Sequence, residues 1–328
     1  MYLVTGATGF IGSAIVRRLL ARGQMVRVLS RANSDYTNIS SLNVEICEGD
    51  LLYPESIRDA VKGCEGLFHV AADYRLWTRN PDKMFKVNVE GTQSVIEAAT
   101  DAGVRRIVYT SSVAVLGNCQ PELSDEDTPV QYEEMIGPYK QSKFRAEEVV
   151  HRLIAERGAP VVIVNPSTPV GPRDIKPTPT GRMIVEAASG KMPAYVDTGL
   201  NIVHVDDVAE GHVLAFEKGI IGARYILGGD NIDLAQILTI VSRKMGRRPP
   251  TICLPHIAVM PIAYIVEGWA RLFGGDDPFV TVDGVRMARK TMFFSSAKAE
   301  RELDYTYRSS AEAINEAVSW FLDNGYVT

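Results

Sequence analysis

The stretch Tyr2-Leu3-Val4-Thr5-Gly6-Ala7-Thr8-Gly9-Phe10-Ile11-Gly12 decides the fold. Tyr2–Thr5 is a short apolar run that reads as a buried strand. Ile11, Ala14, Ile15 and Leu19 then fall on one helical face. Between them stand glycines with separate duties. Gly6 permits the tight turn. Gly9 lets backbone approach a pyrophosphate, which a helix N-terminus favours through its free N–H groups and dipole. Gly12 allows the helix to pack closely on the strand. A glycine triplet alone is weak evidence, but here it joins a strand to a helix at the start of an alternating pattern. Gly6, Thr8, Gly9, Phe10, Ile11 and Gly12 are therefore the first candidates for holding a dinucleotide.

The pattern continues outward. Apolar runs recur at Met25–Ser30, Val44–Cys47, Gly66–Val70, Arg106–Thr110 and Val161–Asn165, separated by helical segments such as Thr92–Ala102. Strands this apolar, alternating with helices, predict a parallel sheet covered on both faces. A long helix is expected from Pro138 to about Arg157, stopping before Gly158. Residues 166–181 hold five prolines and read as a crossing loop. Ile202–Val205, a helix from Asp206 to Lys218, and Arg224–Gly228 read as a return to the sheet. The rest is mostly helical, with Asp233/Gln236 and Ser309/Glu312 at capping-box spacing.

The chain has 328 residues, with 46% apolar and 23% charged, so it is globular and large enough for about two domains of ~150 residues. Its net charge of -5 offers no broad basic field, which argues against nucleic acid as a partner. Four dispersed cysteines, Cys47, Cys64, Cys119 and Cys253, form no ligand or disulfide pattern. No apolar run reaches ~18 residues, and the first residues do not resemble a signal peptide. The expectation is a cytoplasmic protein without a metal.

Further along, three sets of residues carry chemistry. The second predicted strand ends in Ser30-Arg31 instead of an acidic residue. A carboxylate there would repel a 2′-phosphate, whereas Arg31 favours one. Asp50, followed by Leu51, either meets an adenine amino group or caps a turn. Tyr139 and Lys143 are four apart on one helix and share a face. A nearby ammonium and the helix N-terminus favour phenolate, so Tyr139 would serve as an acid–base group. Ser112, at the end of the strand carrying Thr110 and Ser111, would orient a substrate oxygen at the sheet's carboxyl edge.

With these residues the chain resembles the extended short-chain dehydrogenase/reductase family, in its epimerase/dehydratase and dihydroflavonol-reductase-like group. The matching pieces are Thr5–Gly12, Gly49-Asp50-Leu51, His69-Val70-Ala71-Ala72, Asn88–Thr92, Thr110-Ser111-Ser112, Tyr139 with Lys143, Asn165-Pro166 and His204–Ala209. Segments 69–77, 171–182 and 282–290 look like the hopanoid-associated sugar epimerases. The resemblance implies a Rossmann doubly wound parallel sheet, an α/β fold, with a smaller, mostly helical substrate-binding domain. Its cofactor domain would span 1–166, with 201–229 returning to it. Residues 167–200 and 230–328 would form the substrate domain.

The resemblance also implies roles. Ser112, Tyr139 and Lys143 occupy the catalytic positions, and Lys143 would also bond the nicotinamide ribose. Asn88 would support the cofactor and the lysine's surroundings. Ala71, Ala72, Thr110, Pro166 and Ser167 would line the cofactor. NADP(H) is the preferred cofactor, with NAD(H) as the second choice. The implied activity is a sugar epimerase in hopanoid metabolism. Alternatives are a dihydroflavonol-reductase-like carbonyl reductase and a non-enzymatic NADP-binding regulator. A homodimer is expected.

Several residues keep two readings. Tyr74 and Trp77 either stack on a substrate ring or fill a loop. Arg173 and Arg182 either meet a phosphate or carboxylate or are solvated. His69 and His204 read as structural. The apolar segment Ile252–Val266 is either a packed helix or a patch for a lipid-linked sugar, with peripheral membrane contact.

Overall fold

All four residues of Tyr2–Thr5 are buried, as in a strand covered on both faces. The computed structural model describes residues 1–118, 122–273 and 280–327; Cys119 lies outside the described residues. Its strands are β1 (Tyr2–Thr5), β2 (Val26–Ser30), β3 (Glu45–Glu48), β4 (Gly66–His69), β5 (Arg106–Thr110) and β6 (Val161–Pro166). They continue with β7 (Thr168–Val170), β8 (Ala194–Val196), β9 (Gly199–His204), β10 (Arg224–Leu227), β11 (Asp230–Asp233) and β12 (Ile252–Leu254).

Seven strands form one sheet in the order β3-β2-β1-β4-β5-β6-β10. Every neighbouring pair is parallel. The chain changes direction across the sheet between β1 and β4, and the crevice at their carboxyl ends is where such a sheet takes ligands. Successive residues of each strand face opposite layers. Val4, Phe68 and Val108 join Ile15, Val208 and Phe216 on one side. Leu3, Leu67 and Ile107 join Ile96, Ala146 and Val150 on the other.

A further core lies among the helices Pro179–Ala188, Leu234–Lys244 and Ser310–Asp323, around Ile184, Ile237, Ile314 and Phe321. Two expectations need correction here. Residues Ile202–His204 do not return to the main sheet, because β10 takes the edge of β6, Arg224 opposite Ile163. β9 instead sits between β7 and β11 in a three-stranded sheet. The following helix, Val205–Lys218, does return: Val205, Val208 and Ala209 enter the first core. The proline-rich segment is also not wholly loop. It contains β7 and the start of a helix at Pro179, where a missing N–H costs nothing.

The long helix runs Gly137–Arg157 and ends at Gly158, whose φ of +63° is the left-handed conformation glycine supplies. The helix His256–Phe273 buries Ala263 but leaves Ile257, Ile265 and Trp269 exposed at 76%, 71% and 64%. It is therefore not a wholly packed helix. No helix among the described residues is long and apolar enough to cross a membrane.

Candidate functional site

The turn after β1 is a cradle. Gly6 has a φ of +68°, and a Cβ there would lie 2.7 Å from the Ala71 backbone nitrogen. A Cβ on Gly12 would lie 2.2 Å from the Gly6 carbonyl oxygen. Only glycine lets the helix Phe10–Ala21 begin this close to the turn. Gly9 is exposed and starts that helix with no capping side chain, so its first N–H groups stay available to an anion. Thr8, Phe10 and Ile11 are half-buried around it.

Asn38 Nδ2 donates to the carbonyls of Thr8, at 3.3 Å, and Arg173, at 3.2 Å. Arg173 thus belongs to the glycine-turn end of the crevice, and its guanidinium pairs with Asp206. Its Nε is buried without a hydrogen-bond partner. Arg182 is exposed with no ion-pair partner among the described residues.

At the end of β2, Ser30 donates to the Tyr36 hydroxyl at 2.8 Å. Arg31 beyond it is exposed and has no ion-pair partner among the described residues. Asp50 Oδ1 accepts from the Leu52 N–H at 3.0 Å, so the turn-capping reading is formed. Leu51 is buried against Gly91. Ala71 and Ala72 follow β4, half-buried, with the Ala71 N–H donating to Thr5 Oγ1 at 3.2 Å.

Tyr139 lies in the first turn of the helix Gly137–Arg157, and Ser112 follows β5 in extended backbone. Burial raises the Tyr139 pKa, and hydrogen bonding from Ser112 works against that rise. The expected lowering by Lys143 does not appear. Lys143 is only 3% exposed, and its Nζ donates to Tyr109 Oη at 2.9 Å and to the Thr110 carbonyl at 2.7 Å. Burial brings its pKa down to about 7, opposed by Glu147. The ammonium is held by β5 and not by Tyr139, the neighbour that the four-residue spacing gave it.

Tyr109 and Ser142 escaped the sequence reading. Tyr109 alternates with Thr110 along β5 and so faces the same layer as Ile107, where the Lys143 helix packs. That alternation was the available signal. Ser142 Oγ donates to the Tyr139 carbonyl at 2.8 Å and accepts from Asn88 Nδ2 at 2.9 Å. Asn88 sits in a π-helical turn, and its side chain also bonds the Asp73 backbone, at 2.7 Å to N–H and 2.9 Å to carbonyl. It braces the loop after β4 against the helix Gly137–Arg157 and has no bond to Lys143.

The Thr110 side chain is engaged elsewhere. Burial lowers the His212 pKa to about 4, so the ring is neutral. Its Nδ1–H must donate to the Val208 carbonyl at 2.7 Å, leaving Nε2 to accept from Thr110 Oγ1 at 2.9 Å. The one proton of the Thr110 hydroxyl is therefore given to His212, and its lone pairs stay able to accept. His69 is similarly satisfied, between Thr5 Oγ1 at 2.8 Å and Thr92 Oγ1 at 3.0 Å, and burial takes its pKa to about 3. His204 caps the next helix through the Asp206 N–H at 3.0 Å and bonds Glu316. Both rings are held by side chains or backbone of the fold.

Pro166 closes β6, and the buried Ser167 Oγ beside it has no partner. The Trp77 Nε1 is also buried without one, and Tyr74 is 45% exposed in the same loop after β4. No group of three or more His, Cys, Asp or Glu among the described residues could hold a metal ion. The glycine cradle, the uncapped helix and the orphaned Ser167 hydroxyl at the same carboxyl edge fit an adenine dinucleotide.

Known proteins carry the same architecture. The NAD dependent epimerase/dehydratase family matches residues 2–228. A Synechocystis sp. protein bearing a dihydroflavonol 4-reductase name is 42% identical, covering 99% of this chain and 96% of its own. Sterol demethylase protein B of Methylococcus capsulatus is 36% identical, covering 99% of both. The crystal structure of gox2253 is 53% identical, with a TM-score of 0.90 over 100% of this chain and 99% of its own. A nucleoside-diphosphate-sugar epimerase from Pseudomonas aeruginosa is 26% identical, with a TM-score of 0.82 over 100% and 99%. With the glycine cradle, the doubly wound sheet and the Ser112–Tyr139–Lys143 set, the chain belongs to the NAD dependent epimerase/dehydratase family and is an NAD(P)-dependent enzyme of the extended short-chain dehydrogenase/reductase type.

Proposed function

We propose that the protein is an NADP(H)-dependent carbonyl reductase, working reversibly on a secondary alcohol. The observation that carries the reading is the Ser112 hydroxyl facing the Tyr139 phenol at the carboxyl edge of β5, beside the glycine cradle. When bound, the nicotinamide supplies or accepts hydride. Tyr139, raised in pKa, holds the proton that a new alkoxide needs, and Ser112 donates to the same oxygen. Lys143, held by Tyr109 and the Thr110 carbonyl, would bond the nicotinamide ribose. Gly6–Gly12 would hold the pyrophosphate, Arg31 the 2′-phosphate, and Pro166 with Ser167 the nicotinamide side. The unpaired charge of Arg31 supports the phosphorylated cofactor.

Net reduction is favoured over epimerisation because relatives named as reductases match the chain over most of its length. The enzyme relatives also displace the regulator alternative. The test is stoichiometry with a panel of ring ketones. A reductase consumes one NADPH per alcohol formed. An epimerase turns over many equivalents of sugar with catalytic NADP⁺ and no net absorbance change.

The second reading is a sugar epimerase acting on a lipid-linked sugar in hopanoid metabolism. It is favoured by the exposed Ile257, Ile265 and Trp269 on one helix and by the family's epimerase members. Flotation with liposomes tests the associated membrane contact. The same proposal includes a cytoplasmic homodimer and a cofactor part (1–166, 201–229) distinct from a substrate part (167–200, 230–328). The separate core around Ile237 and Ile314 supports that division except at β9, whose Ile202 packs into that core. Light scattering should give twice 36.0 kDa.

A further inference from the structure

A narrow cleft is walled by Ala114, Leu116, Asn118, Met135 and Met292. Two lysines line it. Lys140 directly follows Tyr139 on its helix, and Lys290 follows the helix Val282–Ala288. Both are half-buried, and neither has a hydrogen-bond or ion-pair partner among the described residues. The carboxylate on the same wall, Glu134, is engaged by the Gln131 N–H at 2.9 Å in a capping box. Asp283 nearby pairs with Arg286 at 3.5 Å.

Lysines withdrawn from water are ordinarily paired. Here burial, and then repulsion from Lys290, push the Lys140 pKa down to about 8. An anion lying against both side chains would offset that repulsion. The open space is about 20 Å³, enough for roughly one water-sized group. A diphosphate is too large for it, whereas a carboxylate is nearly the right size.

We propose that Lys140 and Lys290 together hold a carboxylate of the substrate, so that the molecule reduced or oxidised at Ser112–Tyr139 is a keto or hydroxy acid. This rests on the oxidoreductase reading above and names its substrate class. Lys140 stands one residue after Tyr139 on the helix Gly137–Arg157, and Ala114 on the cleft wall stands two residues after Ser112, so the segments that carry the reacting pair also bound the cleft.

The experiment is titration calorimetry on the full chain, first with NADPH and then, on the loaded protein, with cyclohexanecarboxylate or its methyl ester. The acid should bind at least about tenfold more tightly than the ester, the scale of hydrogen bonds to a charged group. Lys140→Gln and Lys290→Gln should each remove most of that preference while leaving NADPH and ester affinities unchanged. Lys290→Arg should retain it. Equal binding of acid and ester, binding of neither, or a preference that survives both Gln variants overturns the proposal. Failure of NADPH to bind would instead strike the oxidoreductase reading itself.

Discussion

Tyr109→Phe isolates the contact that holds Lys143. The ring stays, and with it the cation–π approach of Nζ at 4.5 Å from the ring centroid. Only the oxygen that accepts from Nζ at 2.9 Å is lost. A hydrogen bond to a charged group contributes roughly 1.5–3 kcal/mol, and one pKa unit corresponds to about 1.4 kcal/mol. The bond is made to the ammonium and so favours the charged form; removing it lowers the pKa. Lys143 should fall from about 7 by roughly 1–2 units. At neutral pH it then passes from about half charged to mostly neutral. The assay is a pH titration of ¹³C-labelled lysine followed by NMR, with the Lys143 signal identified by its loss in Lys143→Met. A midpoint near the ordinary ~10.4 in the unmodified protein, or equal midpoints in both proteins, refutes the reasoning.

Further outcomes follow from the same site. Lys143 titrates lower in the folded chain than in the unfolded one, so above its folded pKa the unfolded state binds more protons and stability rises with pH. Between pH 7 and 9 this residue should add about 2 kcal/mol, an increase that urea denaturation should show reduced by that amount in Lys143→Met. Arg31→Ala should bring NADPH affinity toward that of NADH, measured by calorimetry; unchanged discrimination would remove Arg31 from the 2′-phosphate site. Asn88→Ala leaves the Ser142 hydroxyl and the Asp73 backbone short of partners. It should cost about 1–3 kcal/mol in thermal or urea unfolding.

The legible parts of this chain were those fixed by local chemistry. Gly6 and Gly12 announce close backbone approach, and the structure shows how close. The β5 run Arg106–Thr110 and the helix stop at Gly158 follow from apolar pattern and left-handed glycine. What escaped depends on partners distant in sequence. The four-residue spacing placed Lys143 and Tyr139 on one face but said nothing of the strand beneath, whose Tyr109 and Thr110 carbonyl capture the ammonium. Thr110 stands at a strand end with no local partner, and His212, on a helix from the far side, accepts its hydrogen bond. The apolar run Ile202–Val205 reads as a strand returning to the main sheet. Only the competition for the sheet edge, won by β10, sends it elsewhere.

The central claim is hydride transfer with Tyr139 carrying the proton. Its most direct measurement is deuteride transfer from [4-²H]NADPH to a panel of keto acids and ring ketones, followed by mass spectrometry, for the unmodified protein and Tyr139→Phe. The account predicts deuterium on the carbon bearing the new hydroxyl, with a rate at least ~100-fold lower in Tyr139→Phe and NADPH affinity nearly unchanged. Transfer at an undiminished rate in that variant, or no transfer to any member of the panel by the unmodified protein, would contradict it.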